Sequence, residues 1–492
     1  QVLSWEFNFL EAWQIPPTQQ LIQPGPRWRP YLVRPDFLGA VFDVYQRVRL
    51  RSTGGRGGTL PHSLRQLLIQ LSSVHGDIFE DDDQKKEYAS FLVKGATAVL
   101  AAPLSATEVE RRAQQGMAEE AAEEAQADEY VGIASMALRL VTNFKLRTLA
   151  RLESFGSFAQ HLATIASRML QQASAAAGQD YGNPWREEVF GLLLETWVAM
   201  AEDPEVGRDP ALRKGMQDAT FPLYEQYLAY ELTVSRVEAE ASCLSEEDDE
   251  EEEIGAADKD EQMCSVACLG RLSPARALAA VDIKVQGVST ALRGLLETGL
   301  VDGQPALLPG GEVLSPKATG VLEQARTAVV LAAHLMADKD DGDVMVPEVL
   351  HTAFLEDKQT ADLLVELVHR LLSLLEVHVK LLLQHGAGAR VGGAARGSPS
   401  PLLSPYLGGA LLWCFARWAS AYLLPNWTLY QARERGQSGG MFSYRLTVAF
   451  GAAASSVTLS DPPTRGDKGG GGVVTAVRTG GGGGTGGMEG AG

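Results

Sequence analysis

The stretch Ala361–His385, ADLLVELVHRLLSLLEVHVKLLLQH, sets Leu364, Leu367, Leu371, Leu375 and Leu382 along one stripe at helical spacing. That period predicts an amphipathic helix of about six turns. The same pattern recurs along the chain. Leu64, Leu67, Leu68 and Leu71 repeat it, as do Ile133, Met136, Leu140 and Phe144, then Val189, Leu193, Trp197 and Met200. Residues 407–424 align Leu411, Phe415, Trp418 and Tyr422 on one side and carry further apolar residues elsewhere. A helix apolar on several sides is expected to be packed on both flanks. The dominant period is helical, so the chain is read as all-α.

Breakers separate these segments: Pro16-Pro17, Gly54–Gly58, Gly182–Pro184, Pro204, Pro210, Pro309–Gly311 and Gly386–Pro405. Between them fit roughly a dozen helices, mostly in pairs joined by short loops. Helix pairs recurring at about 40–47 residues with degenerate sequence point to a HEAT-repeat superhelical solenoid of the armadillo-type fold. A closed bundle accommodates so many helices poorly. The spacing requires insertions near 105–128, 236–262 and 386–404. Residues 1–452 are thus expected to form the helical stack. Residues 453–492 are expected to be a low-complexity tail, since fourteen of the 51 glycines lie in the last 27 residues and such a segment buries too little to offset backbone ordering.

The formal charge is −19, from 62 acids and 43 bases. Phosphate binding needs a positive surface, so nucleic acid is excluded as the main partner. Residues 246–261 carry eleven acids against Lys259, a net −10, and Glu246–Glu253 is unbroken. Such a block repels itself, which predicts a disordered acidic loop. The patches Glu80–Asp83 and Glu119–Glu129 are expected to be loop or insertion sequence as well. Four cysteines are too few for a disulfide framework. The first residue is Gln and no signal-peptide pattern follows it, so the chain is read as a fragment or a processed product. The most apolar stretch, residues 406–424, contains Arg417 and is bracketed by Pro405 and Pro425, which argues against membrane insertion.

No catalytic constellation emerges. Cys264 and Cys268 share a helix face but lack two further zinc ligands at suitable spacing, and two small buried thiols are expected. His378 and His385 share a face of the leucine-rich helix while His369 points away, without the spacing of a zinc motif. The run Asp338–Asp343 has Gly342 and Glu348 where a calcium loop would place its glycine and last ligand. Its first and third ligand positions would be Ala337 and Lys339, so an acidic interhelical loop is the better description. No enzyme activity, metal or cofactor is expected.

Specific words in the sequence carry a resemblance. Leu3-Ser-Trp-Glu-Phe-Asn-Phe9, Leu71-Ser-Ser-Val-His-Gly-Asp-Ile-Phe79, Val131-Gly-Ile-Ala-Ser-Met136, Leu193-Leu-Glu-Thr-Trp197, Cys268-Leu-Gly-Arg-Leu272, His334-Leu-Met-Ala-Asp338, Leu402-Leu-Ser-Pro405 and Phe450-Gly-Ala452 follow one another in order. They resemble the exportins, nuclear transport receptors of the importin-β superfamily. The resemblance implies a HEAT-repeat receptor, not an enzyme, that carries cargo with Ran-GTP past nuclear pore proteins and shuttles between nucleus and cytoplasm. Implied cargoes are hypusinated translation initiation factor 5A and a Smad transcription factor, with some import cargo. It further implies that these words belong to the middle of a chain about twice as long, with most of the Ran contact outside them. Hypusine is a long cation, so its site is expected to be an acidic pocket between helices. Asp341, Asp343 and Glu348, in an interhelical segment, are the candidate cargo contacts. Trp5, Trp197, Trp413 and Trp418 are expected to be core anchors. Periodicity alone equally allows a helical-repeat scaffold, such as a phosphatase or ubiquitin-ligase adaptor without Ran dependence.

Overall fold

The computed structural model describes residues 22–49, 59–101, 119–177, 184–243, 252–308, 313–340, 343–387 and 402–423. These form long helices in succession: α1 (Pro35–Arg49), α2 (Thr59–Ser72), α3 (Asp82–Leu100), α4 (Glu119–Asn143), α5 (Phe155–Ala176), α6 (Pro184–Ala201), α7 (Pro210–Ser242), α8 (Glu252–Arg271), α9 (Pro274–Thr298), α10 (Pro316–Met336), α11 (Lys358–Ala387) and α12 (Pro405–Trp418). The fold is all-α.

Local chemistry sets the starts. Of the prolines that punctuate the sequence, Pro184, Pro204, Pro210 and Pro405 become first-turn residues, where a missing N–H costs nothing. Asp209 caps α7 by accepting from the Ala211 and Leu212 amides, Ser315 caps α10 through the Ala318 amide, and Ser404 caps α12 through the Leu407 amide. Asp81 caps α3 through the Gln84 amide. Gly299, at φ 67°, supplies the left-handed residue that ends α9. One proline breaks the pattern: α7 runs through Pro222, whose ring leaves the Asp218 carbonyl without its helical donor.

The helices pack in pairs, α1 on α2, α3 on α4, α5 on α6, α7 on α8, α9 on α10 and α11 on α12. Odd helices then contact the next odd helix, from α1 to α11, and even helices the next even one, from α2 to α12. Helix α7 also lies along α10. One apolar core threads every pair, from Leu32 to Tyr422. Trp197 is an anchor of it at 1% exposure, whereas Trp413 and Trp418 are half-buried at its margin; Trp5 lies outside the described residues.

Several expectations are corrected. Glu80–Asp83 is not loop filler, since Asp81 caps α3 and Asp82 and Asp83 occupy its first turn, where carboxylates favour the helix dipole. Glu119–Glu129 is the start of α4, because an Ala/Glu-rich stretch has high helix propensity. The acidic block is not wholly a loop either: α8 begins at Glu252, and Asp258, Lys259, Asp260 and Glu261 are helical. What remains between α7 and α8, residues 244–251, lies outside the described residues, as do residues 102–118, 388–401 and the tail from 424 onward. Asp338–Asp340 and Asp343–Met345 pair as an antiparallel hairpin (β3 and β4), and a smaller hairpin, Leu300–Val301 (β1) with Gln304–Pro305 (β2), follows α9. Among the described residues no helix is long and apolar enough to cross a membrane.

Candidate functional site

Helix α7 carries Tyr224, Tyr227 and Tyr230 at spacings of three, which turns them toward the core side, and Glu231 follows one turn after Tyr227. Glu231 is only 4% exposed. Burial pushes its carboxyl above the usual range, while the Lys259 ammonium and the Tyr227 hydroxyl pull the other way. Around it, the Tyr230 hydroxyl donates to Glu187 Oε1 on α6 at 3.1 Å, and the Tyr227 hydroxyl to Gln262 Oε1 on α8 at 3.1 Å. Phe190 stacks on Tyr227 with ring centroids 5.8 Å apart. Lys259 pairs with Glu238 at 3.1 Å. Burial opposes its charge, but Glu238, Glu231 and Glu187 together outweigh that and hold the ammonium above its ordinary pKa.

A crevice opens beside these groups, walled by Met169, Leu170 and Ala173 of α5 and by Arg186, Glu187 and Phe190 of α6, with Tyr230 and Gln262 opposite. It is shallow, with room at its floor for little more than a water molecule. Glu187, Glu231 and Glu238 face the Lys259 ammonium, and the Arg186 guanidinium in the wall is paired with Glu123 at 3.6 Å, so the neighbourhood keeps an excess of negative charge beside an aromatic wall. Such a site attracts a cation and gives it aliphatic and aromatic surface for its stem.

A second polar cluster sits at the C-terminal end of α10. Arg271 of α8 donates to the His334 and Leu335 carbonyls, the latter at 3.1 Å, and pairs with Asp338 at 2.6 Å. Arg417 of α12 donates to the Ala337 carbonyl at 2.7 Å and stacks on Trp413, and the Tyr422 hydroxyl donates to the Met336 carbonyl at 2.7 Å. These donors satisfy carbonyls that a helix end leaves open. His334, 2% exposed, meets Asp260 at 2.9 Å, and burial lowers its pKa. The cluster binds helices to one another; most of its donors are engaged, while Arg417 Nε and His334 Nδ1 are buried without a partner.

Of the candidate cargo contacts, Asp341 lies outside the described residues. Asp343 enters β4 opposite Asp340, and Glu348 is exposed in the first turn of the short helix Glu348–Glu356. Their acidic neighbour Asp338 is the one that pairs with a buried arginine. Cys264 and Cys268 are half-buried rather than buried, and burial pushes the Cys268 thiol up to about 12, which keeps it protonated and unreactive. His378 is buried against α12, where a methyl group on Gly408 would lie 2.6 Å from its Nε2. Among the described residues no group of three or more His, Cys, Asp or Glu side chains is placed to hold a metal ion. The crevice residues were legible only as a tyrosine-rich segment ending in Glu231, a weak signal without its partners on α6 and α8. No protein-family model matches the chain.

Proposed function

We propose that this chain is a protein-binding HEAT-type solenoid and, within that class, a nuclear transport receptor of the exportin kind, resembling exportin-4 in the collinear words quoted above. The observation that carries the solenoid reading is the packing register: from pair to pair odd helices meet odd and even meet even, with the α7–α10 contact added to it. Repeat architectures grow by such neighbour contacts and present long curved surfaces to protein partners. Cargo and Ran-GTP are then bound on one stack, coupled because both favour the same curvature. The receptor shuttles between nucleus and cytoplasm, and hypusinated translation initiation factor 5A is its expected cargo. Within the described residues the crevice lined by Glu187, with the buried Glu231 close by, is a better match to a cationic cargo side chain than the exposed Glu348, since its acid stands in a partly desolvated setting.

The test is a pull-down of cargo with Ran locked in its GTP form. Export predicts cargo capture that rises at least tenfold with Ran-GTP. Capture indifferent to nucleotide overturns the transport reading and supports a scaffold. In the same assay Glu187→Gln is expected to weaken capture of the modified factor, whereas Glu348→Gln is not.

A further inference from the structure

Two lysines of this chain keep opposite company. Lys259 has carboxylates around it, Glu238 at 3.1 Å and then Glu231 and Glu187. Lys85, on α3, has none in contact among the described residues. Its Nζ lies 3.4 Å from His75 Nδ1 and 5.5 Å from the centre of the Phe144 ring. Lys145, which follows α4, adds a second ammonium to these surroundings. Asp82, on the same helix, favours the Lys85 charge but forms no ion pair with it.

Three parts of the fold build this setting. Helix α3 begins at Asp82, so Lys85 stands near its start, where the helix dipole disfavours a cation. Tyr88, one turn on, is buried; its hydroxyl donates to the Leu71 carbonyl at 2.8 Å, and its ring meets Phe79 and Phe144 with centroids 5.2 and 6.4 Å away. That aromatic cluster holds the Phe144 ring beneath the ammonium. His75 is set by its backbone amide, which donates to the Ile22 carbonyl at 2.8 Å. An ammonium only donates, so His75 accepts at Nδ1 and carries its own proton on Nε2. Burial lowers the Lys85 pKa, with Lys145 adding to the effect and Asp82 opposing it. Burial and the Lys85 charge lower that of His75, against Asn143.

We propose that Lys85 is a covalent modification site, a nucleophilic amine acylated by small acyl thioesters. A lysine is activated in this way by desolvation and by a neighbouring cation. The unprotonated Nζ attacks the thioester carbonyl, an N–C bond forms, and the C–S bond breaks as the thiolate leaves. His75 Nδ1 takes the proton that the amine sheds, and the Nε2 proton passes through water to the thiolate, so the products are an amide and a free thiol. Lys85 is partly exposed, which leaves it within reach of a small acyl group. Acylation removes a charge that burial and Lys145 oppose, so the modified chain keeps its fold. Nothing in this chemistry depends on the transport reading.

Site-resolved acylation of the intact chain tests this. The chain is incubated with acetyl-coenzyme A from neutral to alkaline pH, and acetylation is followed at each lysine by peptide mass spectrometry, with fragment ions separating Lys85 from Lys86. At neutral pH Lys85 is expected to react about fivefold faster than the exposed Lys86 and Lys94, and Lys259 more slowly than either. Equal rates at Lys85 and Lys86 overturn the proposal. Lys145→Ala removes the neighbouring cation. It is expected to slow Lys85 about twofold at neutral pH and to move its pH–rate profile upward, while Lys145→Arg keeps the original rate and profile. A Lys85 rate that is the same in all three chains overturns the proposal as well. Lys145 is exposed and its side chain makes no cap hydrogen bond, so both variants should fold. The unsubstituted chain in denaturant supplies a further readout: the advantage of Lys85 over Lys86 should vanish there, and its persistence overturns the assignment to the folded cluster.

Discussion

Glu231 shows what a single carboxyl can do inside a helical stack. Its folded pKa is raised by burial, so the folded chain holds its proton more tightly than the unfolded chain does. Stability from this group is therefore fully present below the ordinary glutamate pKa, near 4.5, and is lost as pH rises through the elevated folded value. Glu231→Gln mimics the protonated form. It is expected to leave the acid-side denaturation midpoint unchanged and to raise the midpoint at neutral pH, flattening the profile between them. A variant whose profile keeps the slope of the unsubstituted chain shows that Lys259 already neutralises the charge. Arg271 and Arg417 illustrate the opposite case, charges 5% and 8% exposed that persist because carbonyls at a helix end receive their donors.

At the scale of elements, helix-on-helix approach is set by small residues that propensity tables treat as defects. A Cβ on Gly270 would lie 2.6 Å from the Tyr224 ring, and one on Gly95 2.4 Å from Phe42. Replacing a helical glycine by alanine ordinarily stabilises by about 1 kcal/mol. Here the clash is expected to prevail, and Gly270→Ala should cost about 1–3 kcal/mol in denaturant unfolding. Gly294→Ala, whose Cβ meets nothing within 4 Å, should be neutral or stabilising in the same measurement. Much of the element scale was legible in advance. Pro210 and Pro405, read as breakers, stand at the starts of α7 and α12, and the leucine stripe of 361–385 became α11. The acidic patches were misread because charge density was weighed above propensity. Alanine and glutamate at 119–129 favour a helix whatever their net charge, and acids at 81–83 are suited to a helix start.

For the whole molecule, packing between neighbours has a thermodynamic consequence. On the proposed solenoid reading, contacts that run from each pair to the next make stability nearly a sum of pair and joint terms. Unfolding should then depart from a single two-state transition. We expect fluorescence of Trp185 and Trp197, both on α6, to report an earlier transition than the far-ultraviolet signal of the whole chain. Measurement requires replacing the other tryptophans by phenylalanine; coincident curves would argue for one cooperative unit. The stapled C-terminal block, where Arg271, Arg417 and Tyr422 converge on one helix end, should be the last to lose exchange protection.

The sequence by itself determined the all-α class, the order of the helices and most of their starts, because apolar period and capping are properties of neighbours along the chain. Tertiary structure decided which of those helices' polar residues are buried, and with whom. Arg417 reads as a charge that forbids membrane insertion, yet it is buried on a carbonyl 80 residues away. Asp338 belongs to an acidic run, yet it pairs with an arginine 67 residues away. Trp413 and Trp418 fit a core pattern but remain at its margin. Glu231 becomes a buried acid only because α6 and α8 close over α7. Electrostatic environment depends on distance in space, and separations of this kind leave no periodic trace in the chain.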